Sequence, residues 1–315
     1  MKPLLESIRT LSAPLDPIPT GAALKLAVLD GIETILFDIY GTLLVSGSGD
    51  VGTAAAADSA EALIQSLIVS GYAGDLERAG ELGPELLHAE IEHWHKAARE
   101  NGIDFPEVEI SRVWKKVLER LQTLGLLKPD DDAQKILQLA VEYECRVNPA
   151  WPMPDARQTI DNLRSRGFRL GIVSNAQFYT PLMIEALFGT PLEALGFEKE
   201  LCVFSYKQLM AKPAVELFHS IGGREAAQMC GKERKDWQAP ETCAAKGGNK
   251  VDWSTTLYVG NDMLNDIWTA AQVGCRTCLF AGDRRSLRLR EKDKRCKKLV
   301  PDAIVDHLFQ LTEMV

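Results

Sequence analysis

Two kinds of pattern alternate along this chain, and the place where one interrupts the other limits what it can become. Residues 33–38, ETILFD, are a continuous apolar run with no helical period that ends in an aspartate, the pattern of a short strand covered on both faces. The next such runs come only after residue 148: FRLGIVSN, LCVFS, TTLYVGND and CRTCLFAG. The amphipathic stretches DARQTIDNLRSRG and MLNDIWTAAQVG lie among them, and PDAIVDHLFQL closes the chain with a short strand and helix. Strand–helix alternation predicts a parallel sheet with helices on both faces. Between residues 50 and 147 the texture differs. In TAAAADSAEALIQSLIVSGY, DLERAGELGPELLHAEIEHWHKAARENG, EVEISRVWKKVLERLQTLG and DDAQKILQLAVEYECRV, apolar residues recur every three or four positions. That is roughly 100 residues of helix with no strand signal.

The predicted class is therefore α/β, with a helical domain inserted after the first strand. Residues 1–30 read as an N-terminal extension, 31–46 and 149–315 as the core, and 47–148 as the insert. An insert leaving there sits over the carboxyl ends of the core strands, the edge where open α/β sheets bind ligands. The opening MKPLLESIRTLSAPLDPIPTG, with Pro3, Pro14, Pro17 and Pro19, is expected to lack regular structure until about Gly21. AKPAVELFHSIG is expected to open a helix with Pro213 in its first turn. The glycine-rich GSGD at 47–50 reads as a hinge and not as a phosphate loop, since it lacks the lysine and the helix-opening pattern.

Composition narrows the partners. The net charge of −8 argues against nucleic acid as a partner, which needs a clustered basic surface. One basic run exists: DRRSLRLREKDKRCKK, residues 283–298, reads as a solvated loop and helix face. No apolar run reaches the roughly 18 residues of a membrane span. Seven scattered cysteines without a secretory leader predict free thiols in a reducing cytoplasm. Cys275 and Cys278 form a CxxC inside a strand-like run and read as buried small hydrophobes; Cys230 and Cys243 lie in a polar insertion where nothing supports pairing. His88, His93 and His95 read as insert-surface histidines, because His93 and His95 are two apart and point to different helix faces. Trp94 and Trp114 read as core of the insert.

Chemistry-bearing residues stand where the apolar runs end: Asp38, Ser174 with Asn175, and Asn261 with Asp262, followed by Asp266; Lys212 precedes a helix start. Parallel strands bring such ends side by side. An aspartate on a glycine-bearing turn is a candidate nucleophile, and Lys212 supplies a nearby cation. Ser174 offers a hydroxyl, and backbone N–H groups beside it suit a developing oxyanion. Carboxylates at Asp38 and Asp262 suit Mg²⁺, which takes one or two protein carboxylates plus waters and a phosphate oxygen.

In order and spacing, FDIYGTLL (37–44), IVSN (172–175), AKPAVELF (211–218) and VGNDMLND (259–266) resemble the four motifs of the haloacid dehalogenase-like hydrolase superfamily. The resemblance implies a Rossmann-like core, a helical cap and an aspartyl-enzyme intermediate. It carries onto Asp38 as nucleophile, Ser174 and Lys212 as its catalytic partners, and Tyr40, Gly41, Thr42 and Asn175 as substrate contacts. Asp38, the backbone carbonyl of Tyr40, Asn261, Asp262 and Asp266 are the candidate Mg²⁺ ligands, with the register left open between 261 and 262; Asp266 reads equally as a group that orients Asp262 or Lys212 without touching the ion. Phosphatases of the superfamily usually carry a second aspartate where Tyr40 stands, and that acid–base group is worth about 10²–10⁴ in rate. The Asp-x-Tyr-Gly-Thr form resembles instead the metal-independent 2-haloacid dehalogenases, whose halide leaves without a proton. The acidic fourth motif points the other way. The expected function is thus a Mg²⁺-dependent phosphatase acting on a small anionic molecule; the alternatives are a dehalogenase-type hydrolase and a weakly active ligand-binding member. Oligomeric state is not legible.

Overall fold

The structure is a computed structural model that describes residues 2–48, 56–221 and 251–315. Cys230, Cys243 and most of the polar insertion lie outside the described residues, as do Gly49 and Asp50 of the expected hinge. Among the described residues eight strands form two sheets: β1 Thr34–Phe37, β2 Leu44–Ser46, β3 Ala150–Pro152, β4 Arg169–Ser174, β5 Phe197–Phe204, β6 Thr256–Gly260, β7 Arg276–Phe280 and β8 Ala303–Val305. Six of them run parallel in the order β5-β4-β1-β6-β7-β8. β1 is central, and its side chains alternate across the sheet. Ile35 and Phe37 enter the large core on one face, and Leu36 enters the second core on the other with Val173, Leu217, Phe218 and Tyr258. All four residues of β1 are buried, which is why the run reads as continuously apolar.

β2 and β3 pair antiparallel, Leu44 with Pro152, Val45 with Trp151 and Ser46 with Ala150. They form a neck through which the chain leaves the core and returns. The longer helices among the described residues are α1 Lys2–Leu11, α2 Ala56–Val69, α3 Leu76–Glu100, α4 Ile110–Thr123, α5 Ala133–Val147, α6 Ala156–Ser165 and α7 Thr180–Phe188. α2 to α5 fill the segment beyond the neck around their own apolar core of Leu63, Leu67, Val113, Trp114, Val117, Leu121 and Leu139. Each such buried side chain stabilises by about 1.5–3 kcal/mol. The close approach of α2 to α3 is permitted by glycine. A Cβ on Gly80 would lie 2.2 Å from Ile64 Cγ1, and one on Gly83 2.1 Å from Leu63 Cδ2. α3 starts where the Asp75 side chain accepts the Arg78 N–H, and α5 where Asp132 accepts that of Gln134, both N-caps of the ordinary kind.

Two expectations about local structure do not hold. Residues 2–11 are helical, not irregular. Pro3 falls in the first turn, where its missing N–H costs nothing, and Leu4 and Ile8, one turn apart, are buried in the large core beside Val141, Met183 and Ile184. Pro213 does not open a helix. The Lys212–Pro213 peptide is cis, and the following single helical turn spans Glu216–His219. The side chain of Asn175 holds the chain here: its Oδ1 accepts the Lys212 N–H at 2.7 Å and its Nδ2 donates to the Lys212 carbonyl at 3.3 Å. Cys145, Cys202, Cys275, Cys278 and Cys296 are free thiols. Cys275 and Cys278 are buried as expected. His88 and His93 are exposed and His95 half-buried, and Trp114 is buried in the insert's core. No described helix is long and apolar enough to cross a membrane.

Candidate active site

The three middle strands β4, β1 and β6 end side by side, and each delivers a polar group to one small cavity. Asp38 follows β1, with its N–H donating to Val259 O on β6 at 2.9 Å. Asn175 follows β4, and Asn261 and Asp262 follow β6. Lys212 arrives from the loop after β5. The cavity has a volume of about 120 Å³, and these residues share its lining with Tyr40, Ser46, Asn148, Asn265, Asp266, Ser286, Arg288 and Arg290. Two larger, more open hollows lie on α6 and against α1 and α5, away from the strand ends where the polar groups converge.

Lys212 is the hub. Its Nζ donates to Asp38 Oδ1 at 2.8 Å, to Asp266 Oδ1 at 2.5 Å and to the Tyr258 hydroxyl at 2.9 Å. Burial alone would lower the Lys212 ammonium, but Asp266 and Asp38 outweigh it and hold its pKa up. Burial pushes the Asp266 carboxyl up to about 6, against the pull of Lys212. The other oxygen of Asp266 accepts the Asp262 N–H at 2.8 Å. Gly260 makes room for this carboxylate, since a Cβ there would lie 2.4 Å from Asp266 Cγ. Asp38 is therefore anchored through one oxygen only; its Oδ2 has no hydrogen-bond partner among the described residues, while the residue borders the cavity.

Tyr40 turns its hydroxyl away from that carboxylate. The phenol bonds Thr180 Oγ1 at 3.0 Å and donates to Met183 Sδ at 3.2 Å, both on α7. Burial, and next to it Glu144, push its pKa well above the ordinary value, so the phenol stays neutral and gives up its proton poorly. Gly41 and Thr42 are not in the lining but touch residues that are. Gly41 has φ +81° and packs so closely on Ser286 that a Cβ would lie 2.4 Å from Ser286 Cβ. Thr42 donates to Asn261 Oδ1 at 3.1 Å. Ser174 is wholly buried, and its hydroxyl donates to Asn175 O at 3.4 Å. It reaches the strand end but not the cavity wall. Asp38, Lys212, Asn175, Asn261, Asp262, Asp266 and Tyr40 are thus brought together; Ser174, Gly41 and Thr42 stand behind them.

Six residues of the lining, Ser46, Asn148, Asn265, Ser286, Arg288 and Arg290, are not among the candidates from the sequence. Arg290 grips Asp262: Nη2 donates to Oδ2 at 2.6 Å and Nε reaches both carboxylate oxygens at 3.0–3.1 Å. Arg288 and Ser286 border the same cavity. The run 283–298 is the exposed loop expected of it over much of its length, but not a helix face. It contains no helix, and it is strapped to the fourth motif by Arg288 N–H to Asn261 O at 3.0 Å and Met263 N–H to Arg288 O at 2.8 Å. The signal that would have found it is position: the run leaves the carboxyl end of β7, the same edge as the site. From the neck, Asn148 Oδ1 accepts the Ser46 and Ser48 hydroxyls at 2.7 and 2.8 Å. The insert also grips the loop carrying Lys212. Glu107 N–H donates to Leu209 O at 3.1 Å, Ala211 N–H to Phe105 O at 2.9 Å and Ser205 Oγ to Glu107 Oε2 at 2.8 Å.

As arranged, three of the candidate ligands, Asn261, Asp262 and Asp266, are committed to other partners and do not fit a divalent ion. The Asp262 carboxylate holds Arg290 and caps the following turn through Leu264 and Asn265 N–H. Asp266 is engaged by Lys212, Tyr258 and the Asp262 N–H. Residue 261 is a neutral amide, bonded to Thr42 and through Nδ2 to Ser286 O at 2.7 Å. The described residues contain no group of three or more His, Cys, Asp or Glu disposed to hold a metal.

A parallel α/β sheet with a buried lysine between two aspartates at its carboxyl edge, under a helical insert, defines a class of hydrolase. A model of the haloacid dehalogenase-like hydrolase family matches residues 32–274, and the chain belongs to that family. It is 26% identical over 254 residues, 78% of this chain and 91% of the relative, to a ribulose-1,5-bisphosphate 5-phosphatase of Halopiger xanaduensis. Among solved structures it resembles a 2-haloacid dehalogenase of Pseudomonas syringae pv. Tomato, with a TM-score of 0.52 and 21% identity over 90% of this chain and 97% of the other. A phosphatase of Thermococcus onnurineus gives a TM-score of 0.43 and 18% identity, over 90% of this chain and 97% of the other.

Proposed function

We propose that this hydrolase cleaves a small anionic phosphate ester through a covalent intermediate on Asp38. The observation that carries the reading is the asymmetry of that carboxylate: Oδ1 is tied to Lys212 at 2.8 Å, and Oδ2 is left to attack. Oδ2 forms a bond to phosphorus as the ester P–O bond breaks, and the departing oxygen takes a proton from a solvent water, leaving hydroxide to the bulk. Water then attacks the aspartyl phosphate, releasing inorganic phosphate and restoring the carboxylate. Lys212 balances charge during attack, and the backbone N–H groups after β1 are candidate donors to the phosphoryl oxygens. Asn175 holds Lys212 in place through its two bonds to the Lys212 backbone. The 5-phosphatase relative supports a phosphate ester as substrate.

A second reading, hydrolysis at a carbon bearing a halide, draws on one feature. The Tyr40 hydroxyl is engaged by Thr180 and Met183, so the side chain at that position offers no acid to a leaving group, and halide requires none. The two readings separate in one assay. A generic phosphate ester and 2-chloropropionate are each offered with Mg²⁺ and with EDTA, to the native chain and to Asp38→Asn. We expect phosphate release that falls at least about 10³-fold in the variant, as for loss of a nucleophile. Chloride release in its place establishes the second reading, and full activity of Asp38→Asn sinks both. The Mg²⁺ requirement expected from the motifs is decided by the EDTA arm.

A further inference from the structure

The geometry points to Arg290 as the resident cation of this site, standing beside Asp262 where family members of the acidic fourth motif would place a divalent ion, so that hydrolysis at Asp38 proceeds without metal. The inference rests on the reading of this cavity as the hydrolytic site, but its test does not depend on turnover.

Four observations carry it. Asp262 is held by two N–H groups of one guanidinium, the fork geometry in which arginine binds carboxylates most firmly. A metal ion would have to displace that fork to reach Asp262. Second, Arg290 has φ +50°, a left-handed backbone that a non-glycine residue adopts at a cost and keeps only when its surroundings impose it. The strap through Arg288 supplies that constraint, so the arginine is built into the site. Third, among the described residues the cavity lining carries three acids, Asp38, Asp262 and Asp266, together with three bases, Lys212, Arg288 and Arg290. Fourth, residue 261 is an amide whose oxygen and nitrogen are both in use, so the other register of the fourth motif supplies no carboxylate. The same wall faces a ligand. The buried hydroxyl of Ser286, on the cavity lining, has no hydrogen-bond partner among the described residues. A hydroxyl donor beside two guanidinium groups matches the oxyanion of a substrate.

Two carboxylates in VGNDMLND suggested a cation site, yet Asp262 serves Arg290 and a helix start, and Asp266 serves Lys212.

The test is Mn²⁺ binding to the full chain at neutral pH, followed by electron paramagnetic resonance, alongside hydrolysis of the substrate found above with and without EDTA. The native chain is expected to show no saturable Mn²⁺ site and turnover indifferent to EDTA. Arg290→Gln, which frees Asp262 and removes a positive charge next to it, is expected to bind Mn²⁺ at least about tenfold more tightly than the native chain. Arg290→Lys keeps the charge and is expected to stay near native. Circular dichroism checks that the variants fold; should Arg290→Gln not fold, the native chain and Arg290→Lys decide. Saturable one-to-one Mn²⁺ binding by the native chain, or equal Mn²⁺ affinity in native and folded Arg290→Gln, overturns the proposal. Absence of turnover on every substrate would count against the function proposed for Asp38 and leave the Mn²⁺ measurement to judge Arg290.

Discussion

Replacing Lys212 by methionine removes the one group that holds two buried carboxylates together. Its Nζ lies 2.8 Å from Asp38 and 2.5 Å from Asp266, and the Lys212 side chain is 2% exposed. Methionine keeps most of the volume, so the loss is of charge and hydrogen bonds. Removing one partner of a buried ion pair costs about 3–5 kcal/mol, because the remaining charge stays desolvated. A domain has about 5–15 kcal/mol in total, and 1 kcal/mol corresponds to about 2–4 °C in Tm for chains of this order of size. The expected drop at pH 8 is therefore about 10 °C. The sign with pH follows from Asp266. Burial raises its folded-state pKa to about 6, above the ordinary aspartate value. Such a group contributes stability that is fully present below its unfolded pKa and is lost as pH rises through the folded one. In the native chain that loss falls between the ordinary value and about 6. Without the ammonium, which pulls the Asp266 pKa down, the window extends upward. The deficit of Lys212→Met should thus be small near pH 5 and grow above pH 6, and adding Asp266→Asn should restore part of it at pH 8. Thermal melts of the single and double variants from pH 5 to 8 measure this. A deficit that is the same at every pH would refute the account of Lys212 as the cation shared by two buried acids.

Two further substitutions separate roles within the first motif. Tyr40→Phe removes a hydroxyl bonded to Thr180 and Met183; we expect stability to fall by about 0.5–1.5 kcal/mol and turnover to stay within about threefold of native, whereas the loss of an acid would cost about 10²-fold or more, read from kcat in the same assay. Gly41→Ala places a Cβ 2.4 Å from Ser286 Cβ at φ +81°. The left-handed backbone alone costs about 1–2 kcal/mol, so Tm should fall, and kcat should fall with it as the 286–290 strap is pushed off the fourth motif.

The sheet was legible in advance because strands buried on both faces leave no choice but continuous apolar runs; Ile35, Leu36 and Phe37 are buried on opposite faces yet all apolar. The helical insert was legible because each of its helices buries one stripe, as Val113, Val117 and Leu121 do on α4. Asp38, Lys212 and Asp266 could be picked out because they stand at fixed places relative to strand ends, and chain direction puts parallel strand ends on one edge. α1 is hidden in the sequence because Pro3 stands in line with Pro14, Pro17 and Pro19, although a proline in the first turn breaks nothing.

By itself the sequence determined the alternation of the core strands and helices, the helical character of the stretch between them and which aspartate follows the first strand, since these follow from local periodicity and from residues adjacent in the chain. Only the tertiary structure decided what Asp262 and Asp266 are for. Their partners, Arg290 and Lys212, lie 28 and 54 residues away, and nothing in the intervening chain encodes that separation. An ion pair is fixed by where two backbones come to rest, and that is set by the packing of the whole sheet edge.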